Sequence, residues 1–294
     1  MVTEILHFIG YAFGEAGAVP DAALGPLVLR ESSYLPKLAK HGIPYQWDAD
    51  ISSVSVNANA EKDLLVRAYS EDLAKLVSAR VQALEKFAVI GGDHTCAIGT
   101  WSGAYEAMHT QGPLGLIWFD AHMDSHTPET TESGRIHGMP LACLLGYGYP
   151  SLTSIGSYQA KLKPEHVCLI GVRSYEKGEA TLLQNLKVRI FFIDEVKRRG
   201  INNVLQEAVE IVTRGTAAFG VSLDFDSIEP QDFPAVGVPE KNGLPAEELC
   251  KALPIIASHA KFIGADFAEF SPLHDKNHIS EQWVMRILES IYGK

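Results

Sequence analysis

Apolar strand-like runs alternate with helical patterns along this chain, and that alternation constrains its fold more than any other feature. The strand-like runs lie at residues 5–11, 87–90, 114–119, 167–171, 188–193, 217–223 and 262–266. Helical periodicity separates many of them, at residues 25–30, from Asn59 to Lys86, and at 96–109, 140–145, 194–199, 203–213, 245–259 and 279–292. Alternating elements of this kind are typical of an α/β fold around a parallel sheet.

Loops are predicted where Gly, Pro and polar residues gather, at residues 40–60, 147–157 and 227–243. None of these segments reads as a linker, and we find no internal repeat. We therefore expect residues 1–294 to form a single domain.

Composition narrows the class of protein. A net charge of −11 argues against binding to nucleic acid, which requires a basic surface. The chain contains no apolar run long enough to span a membrane and no basic start typical of a signal peptide, so we expect a cytoplasmic protein. The cysteines are too far apart for a Cys-x-x-Cys site and are expected to be buried and reduced: Cys96, Cys143, Cys168 and Cys250.

Three predicted strands, at 87–90, 114–119 and 217–223, end in acidic and imidazole side chains. The side chains concerned are Asp93, His94, Asp120, His122, Asp124, Asp224 and Asp226. The carboxyl ends of strands in open α/β sheets are where ligands bind. If the extended conformation continues past residue 119, the side chains at 120, 122 and 124 point to the same side.

This group predicts a metal site. Carboxylates and imidazoles that share one place repel or compete unless a cation lies between them. The set exceeds the needs of one ion and suits two divalent metals, about 3.5–4 Å apart, that share bridging carboxylates. Mixed aspartate and histidine ligation favours Mn²⁺, Fe²⁺, Co²⁺ or Zn²⁺.

The same segments resemble the signature motifs of the ureohydrolases, the binuclear manganese hydrolases that include arginases and agmatinases. The similar segments are Gly91–His94, Asp120–Asp124 and Ser222–Pro230, with Ser133–Pro140 closest to an arginase segment. The resemblance implies a three-layer α/β/α arginase-like fold with a mostly parallel central sheet. It also implies cleavage of a guanidino group with release of urea, with L-arginine as the first expected substrate.

The resemblance further implies roles for single residues. One Mn²⁺ would be held by His94, Asp120, Asp124 and Asp224, and a second by Asp120, His122, Asp224 and Asp226, with a nucleophilic hydroxide between them. Glu269 resembles the glutamate that binds the guanidinium group, and His137 resembles the proton shuttle. Asp124 would also hydrogen-bond the hydroxide and pass on its proton.

The residues expected at the far end of the substrate depart from the arginase pattern. His126 and Arg135 stand where arginases carry asparagine, and Glu176 replaces an aspartate, whereas Ser133 and Glu179 are kept. Arg135 and His126 suit a carboxylate, and Glu176 suits an ammonium group. The sequence leaves open L-arginine, agmatine, guanidino acids such as guanidinobutyrate, and formiminoglutamate.

Two other classes of function remain open. One is a non-catalytic family member that keeps the metals and serves as an interaction protein. The other is a metalloamidase related to histone deacetylases, which would use a single zinc. Family members are commonly trimers or hexamers, so the resemblance also predicts a homo-oligomer.

Overall fold

The computed structural model describes residues 4–55 and 60–293 of the chain. These residues contain eight strands: β1 (Leu6–Tyr11), β2 (Tyr45–Ile51), β3 (Phe87–Gly91), β4 (Leu114–Phe119), β5 (Val167–Val172), β6 (Arg189–Phe192), β7 (Ala218–Asp224) and β8 (Phe262–Ala268). They form one sheet in the order β2-β1-β3-β8-β7-β4-β5-β6. Every neighbouring pair is parallel, so the carboxyl ends of the strands lie at one edge.

Helices connect the strands. Within the described ranges the α-helices are α1 (Gly25–Arg30), α2 (Pro36–Lys40), α3 (Lys62–Gln82), α4 (Cys96–Met108), α5 (Pro140–Leu144), α6 (Pro150–Thr153), α7 (Lys177–Leu186), α8 (Ile193–Arg199), α9 (Ile201–Thr213), α10 (Ala246–Ala252), α11 (Pro254–Ala257) and α12 (Ile279–Tyr292). None of the helices in these ranges is long and apolar enough to cross a bilayer.

Two apolar cores lie on opposite faces of the sheet. In β4, Ile117 and Phe119 belong to one core, and Leu116 and Trp118 belong to the other. Successive strand residues point to opposite faces, so each core lies between the sheet and one layer of helices. Helices α1, α2 and α8–α12 contribute to the first core, and α3–α7 to the second. The predicted three-layer α/β/α fold is confirmed. All four cysteines are buried and unpaired, as predicted.

The edge strand β2 lies inside a segment that the sequence predicted as a loop, so that prediction is wrong. Asp48 and Asp50 interrupt the apolar pattern of this strand. A strand at the edge of a sheet has only one strand neighbour, here β1, and charged side chains are common there. Trp47 stacks on Phe8 with ring centroids 5.4 Å apart, which attaches the edge to the core.

The helix boundaries also differ from the sequence prediction. The helix expected from Asn59 begins at Lys62, and position 59 itself lies outside the described residues. The helix expected over 245–259 is divided in two, because Pro254 has no backbone N–H to continue it. Helix α7 was not predicted. Its start depends on a reciprocal pair of hydrogen bonds between Glu176 and Glu179, rather than on a serine or threonine cap.

Candidate metal centre and substrate cavity

Four adjacent strands carry the candidate residues at or just beyond their carboxyl ends. In the sheet, β3, β8, β7 and β4 are consecutive neighbours. His94 follows β3, Glu269 follows β8, Asp224 ends β7, and Asp120 follows β4. The strand order therefore brings together segments that are remote in sequence. The close approach of the β3 end to residue 13 requires glycine, because a Cβ at Gly92 would lie 2.1 Å from the Phe13 carbonyl oxygen.

The extended conformation does not continue from β4 to Asp124, so the condition under which residues 120, 122 and 124 were expected to point to one side is not met. The strand ends at Phe119, and Asp124 has a left-handed φ of 46°. Asp120 Oδ1 accepts the backbone N–H of His122 at 2.7 Å, which curls the chain in an Asx turn. The turn, and not a straight strand, brings these side chains together.

His94 is the centre of the first cluster. Its Nδ1 lies 2.9 Å from Asp124 Oδ2, 3.1 Å from Asp224 Oδ2 and 3.4 Å from Asp120 Oδ2. All four residues are buried. Nδ1 makes no hydrogen bond within the described part of the chain, although buried polar atoms nearly always make one. A buried ring nitrogen without a hydrogen bond, facing three carboxylate oxygens, fits a ligand of a divalent cation.

A hydrogen-bonded chain behind His94 selects the tautomer that such a ligand needs. Ser222 Oγ donates to Asp266 Oδ1 at 2.7 Å and lies 2.9 Å from His94 Nε2. The single hydroxyl proton is committed to the carboxylate, so Ser222 accepts from Nε2–H. The lone pair is then on Nδ1, towards the cluster.

The second cluster is formed around His122. Its Nδ1 lies 2.9 Å from Asp226 Oδ2 and 3.4 Å from Asp120 Oδ1. Asp120 thus gives one oxygen to each cluster, as a bridging carboxylate does. Asp224 Oδ1 accepts the Asp226 N–H at 2.8 Å, while its Oδ2 faces His94. The structure brings all the predicted ligands together, and a bridging role for Asp224 stays a prediction.

The electrostatics of the two clusters also favour a cation. Burial, together with the neighbouring carboxylates Asp226 and Asp120, raises the pKa of Asp224 well above its usual value. Burial and Asp120 raise the pKa of Asp124 to about 6, against the effect of His94. Burial alone would lower the pKa of the His94 and His122 imidazoles, but the surrounding carboxylates raise it well above the usual value. A bound divalent metal would relieve the repulsion among these carboxylates.

Glu269 and His137 form a pair beside the first cluster. Glu269 is 3% exposed and has a left-handed φ of 67°. Its Oε1 accepts the His94 backbone N–H at 3.0 Å and lies 2.9 Å from His137 Nδ1. Burial would lower the pKa of His137, but the negative charges of Glu269, Asp124 and Asp93 raise it to about 9. The imidazole is therefore positively charged at neutral pH in the metal-free protein.

A cavity of about 370 Å³ adjoins both clusters, within the range of small-molecule sites. Asp124, Asp226, Glu269 and His137 all contribute to its wall, so the metal ligands and the Glu269–His137 pair share one space. The side chains predicted at the far end of the substrate also line it: His126, Ser133, Arg135, Glu176 and Glu179. The Arg135 side chain is exposed and forms no ion pair among the described residues.

The two glutamates at the cavity wall differ in their surroundings. Glu176 Oε2 lies 2.8 Å from His126 Nε2, and this hydrogen bond lowers the pKa of Glu176. Glu179 is only 2% exposed. Its Oε1 accepts the Glu176 N–H at 3.0 Å and its Oε2 accepts the Ser125 N–H at 3.3 Å. Glu179 therefore ties the start of α7 to the segment after Asp124, and a direct contact with substrate stays a prediction.

Sequence reasoning missed several residues of the site. Trp118 Nε1 donates to Asp120 Oδ2 at 2.8 Å, and its ring stacks on His94 with centroids 4.3 Å apart. Glu132 lines the cavity. Asp266 could have been predicted from the sequence, because a carboxylate inside the apolar run of β8 requires a buried hydrogen-bond partner. That partner is Ser222, directly opposite it in β7.

Known proteins resemble this chain over most of its length. The model of the arginase family matches residues 5–293. The arginase of Bacillus caldovelox is 40% identical over 225 residues, which cover 76% of this chain and 74% of that protein. The arginase of Bacillus subtilis is 33% identical over 300 aligned positions, covering 99% and 98%. The crystal structure of arginase from Bacillus subtilis superposes with a TM-score of 0.90 at 32% identity, covering 99% of each chain.

Proposed function

The chain belongs to the arginase family of hydrolases that act on C–N bonds of linear amidines, and we propose that it releases urea from a guanidino substrate at a two-manganese centre. The first substrate in this proposal is L-arginine, which gives L-ornithine and urea. The observation that carries the proposal is that both carboxylate–imidazole clusters and the buried Glu269 line one cavity.

The arginase family generally binds a binuclear metal centre, and the donors of the two clusters suit one. In our proposal His94, Asp120, Asp124 and Asp224 hold one Mn²⁺, and Asp120, His122, Asp224 and Asp226 hold the other. Ligands rich in carboxylate with one imidazole for each ion are compatible with Mn²⁺. When bound, two divalent cations supply a water whose pKa falls into the neutral range.

Glu269 binds the guanidinium group in this proposal. Its Oε1 already accepts hydrogen bonds from the His94 N–H and the His137 ring, whereas its Oε2 makes none within the described residues. Oε2 can therefore accept from a guanidinium N–H. A charge-assisted hydrogen bond of this kind orients the substrate with its guanidino carbon towards the clusters.

His137 delivers a proton to the leaving amine. The ring lies at the cavity wall, 2.9 Å from Glu269, whose negative charge raises the pKa of His137 and favours its protonated form. A protonated imidazole next to the departing nitrogen is a general acid. Asp124, which also lines the cavity, accepts the proton released from the attacking water.

Arg135 distinguishes among guanidino substrates. Its guanidinium group is exposed at the cavity and has no ion-pair partner among the described residues. It can therefore bind a substrate carboxylate, with the Ser133 hydroxyl two residues away. Agmatine carries no carboxylate and gains nothing from Arg135. Glu176 offers the charge for an α-ammonium group, with Glu179 fixing the backbone beneath it.

The direct experiment measures urea release by the Mn²⁺-loaded protein on L-arginine, agmatine, 4-guanidinobutyrate, 3-guanidinopropionate and formiminoglutamate, the last followed by formamide release. We expect the carboxylated guanidines to be preferred. Arg135→Ala should lower kcat/KM for L-arginine about 10- to 150-fold, because a charged hydrogen bond contributes about 1.5–3 kcal/mol. It should leave agmatine nearly unchanged. A wild-type preference for agmatine would replace our assignment with an agmatinase.

A guanidino acid without an α-amino group is the second candidate, and the His126–Glu176 hydrogen bond favours it. Glu176 is already engaged by His126 at 2.8 Å, so a substrate ammonium must compete for the same carboxylate. Glu176→Gln decides between the two. It should impair L-arginine and spare 4-guanidinobutyrate if Glu176 binds an ammonium. The second candidate would be supported if the substitution left the rate on L-arginine unchanged and if both the wild type and the variant hydrolysed 4-guanidinobutyrate faster than L-arginine.

Three further aspects stay predictions: a cytoplasmic location, assembly as a trimer or hexamer, and a single domain over residues 1–294. A family member that binds the metals without catalysis is excluded if any of the substrates is hydrolysed.

A further inference from the structure

The two metal-ligand histidines differ in what faces their second ring nitrogen. A histidine that binds a metal through Nδ1 carries its proton on Nε2, and an acceptor for that proton fixes the ring. For His94 the acceptor is the buried Ser222 hydroxyl. The Nε2 of His122 makes no hydrogen bond within the described residues. The carboxylate within ion-pair distance of it is that of Glu240, whose Oε1 lies 3.9 Å away.

Glu240 lies outside the wall of the cavity that His122 lines. His122 lines the cavity that contains the metal ligands, whereas Glu240 does not. Glu240 instead lines a neighbouring cleft together with Arg173, Asp194 and Lys197. A carboxylate in that position can act on the ring of His122 without contacting the substrate.

Arg173 holds the backbone of Glu240 in place. Its guanidinium group donates to the carbonyl oxygens of Glu240 at 2.8 Å and Lys241 at 3.0 Å. The same group donates to the carbonyl oxygens of Asp226 at 2.7 Å and Ser227 at 3.3 Å. One rigid planar cation thus joins the segment that carries Glu240 to the segment that carries the metal ligand Asp226.

We infer that Glu240 is a positioning residue for the second metal site, whose carboxylate accepts the Nε2–H of His122 and holds Nδ1 towards Asp120 and Asp226. This inference rests on the metal centre of the proposed function. The observed 3.9 Å exceeds a hydrogen bond by about 1 Å. The Glu240 side chain is 33% exposed, so it has room to adjust. A negative charge behind the ring also makes Nδ1 a stronger donor to a cation.

The test is a titration of the metal-free protein with Mn²⁺. Calorimetry measures the affinity of each site, and electron paramagnetic resonance distinguishes single Mn²⁺ ions from coupled pairs. Glu240→Ala should weaken the second site about 10- to 100-fold, in the range found for partners of metal-bound histidine, and leave the first site unchanged. In the titration, single-ion Mn²⁺ spectra should then persist to higher Mn²⁺ concentration than in the wild type. The melting temperature of the metal-free variant should match that of the wild type.

Asp194→Ala is the matched control, because it removes one carboxylate from the same cleft. Asp194 is exposed and forms no ion pair with His122 in the described residues. This control should bind both ions with wild-type affinity. Metal affinities that are unchanged in Glu240→Ala would overturn the inference. A loss shared equally by both sites, or reproduced by Asp194→Ala, would overturn it too. Metal binding is measured without turnover, so these results stand apart from whether the protein cleaves a guanidino group.

Discussion

The hydroxyl group of Ser222 is expected to contribute both to the stability of the fold and to the first metal site. Ser222→Ala removes the hydrogen bond to Asp266 Oδ1 and the acceptor for His94 Nε2–H. Both partners are 0% exposed, so no water replaces the lost group. A buried polar group left without a partner costs about 1–3 kcal/mol, so two such groups cost roughly 2–6 kcal/mol at most.

This loss depends on pH because Asp266 can take up a proton. Burial raises the pKa of Asp266 to about 6, against the opposing effects of His94 and of the Ser222 hydrogen bond. Without Ser222 that pKa moves higher still. As pH falls below about 6 the carboxyl becomes neutral in both proteins, and its part of the penalty falls to that of losing a neutral hydrogen bond. As pH rises above 6 the wild-type carboxylate ionises with its hydrogen bond in place, so the deficit of the variant grows.

The assay is denaturant unfolding of the metal-free proteins at pH 5.5 and pH 8, together with Mn²⁺ titration. We expect a larger loss of unfolding free energy at pH 8, and an affinity of the first site about 10- to 100-fold lower because the His94 tautomer is no longer fixed. Ser102→Ala is the control, since Ser102 is 1% exposed and its hydroxyl makes no hydrogen bond in the described part of the chain. A Ser222→Ala protein as stable as this control at both pH values, with unchanged Mn²⁺ affinity, would refute the reasoning.

Removing the shared ligand in Asp120→Ala should prevent both metal ions from binding after chelation and reloading with Mn²⁺, whereas His94→Ala should weaken mainly one. Metal analysis checks this, and a single ion in the fully active wild type would contradict it. His137→Asn should lower kcat more than it raises KM, because a general acid acts on the leaving group, and added imidazole should restore part of the rate. If the variant keeps the wild-type turnover across neutral pH, another group donates the proton. The hydrogen bond to Arg189 is the main reason that the pKa of Glu195 falls to about 2 in the folded protein. The ionised Glu195 therefore stabilises the fold at pH values above the pKa of the unfolded chain, about 4.5, and this stabilisation is lost as pH falls from about 4.5 to 2. Glu195→Gln should therefore cost about 1 kcal/mol at pH 7 after screening by solvent and progressively less in acid, as followed by unfolding at pH 7, 4 and 3; a constant difference would contradict the ion-pair origin.

Local patterns predicted the interior strands and most of the helices of this fold. Strands such as β4 and β7 are buried on both faces, so their apolar runs are continuous and easily found. The edge strand β2 and helix α7 were missed, because their positions depend on neighbours rather than on composition. Trp47 of β2 is placed by Phe8, and the start of α7 is placed by the hydrogen bonds of Glu179.

The sequence by itself determined which side chains are candidates for a metal site, because three apolar strands each end in acidic or imidazole groups. Only the tertiary structure decided how they meet. The sheet order makes β3, β8, β7 and β4 neighbours, and the Asx turn at Asp120 aims its two oxygens at different histidines. The partners of those histidines, Ser222 and Glu240, also come from other segments. Hydrogen bonds between segments that are remote in sequence form only where the fold brings those segments close together. The spacing of residues along the chain does not give these distances.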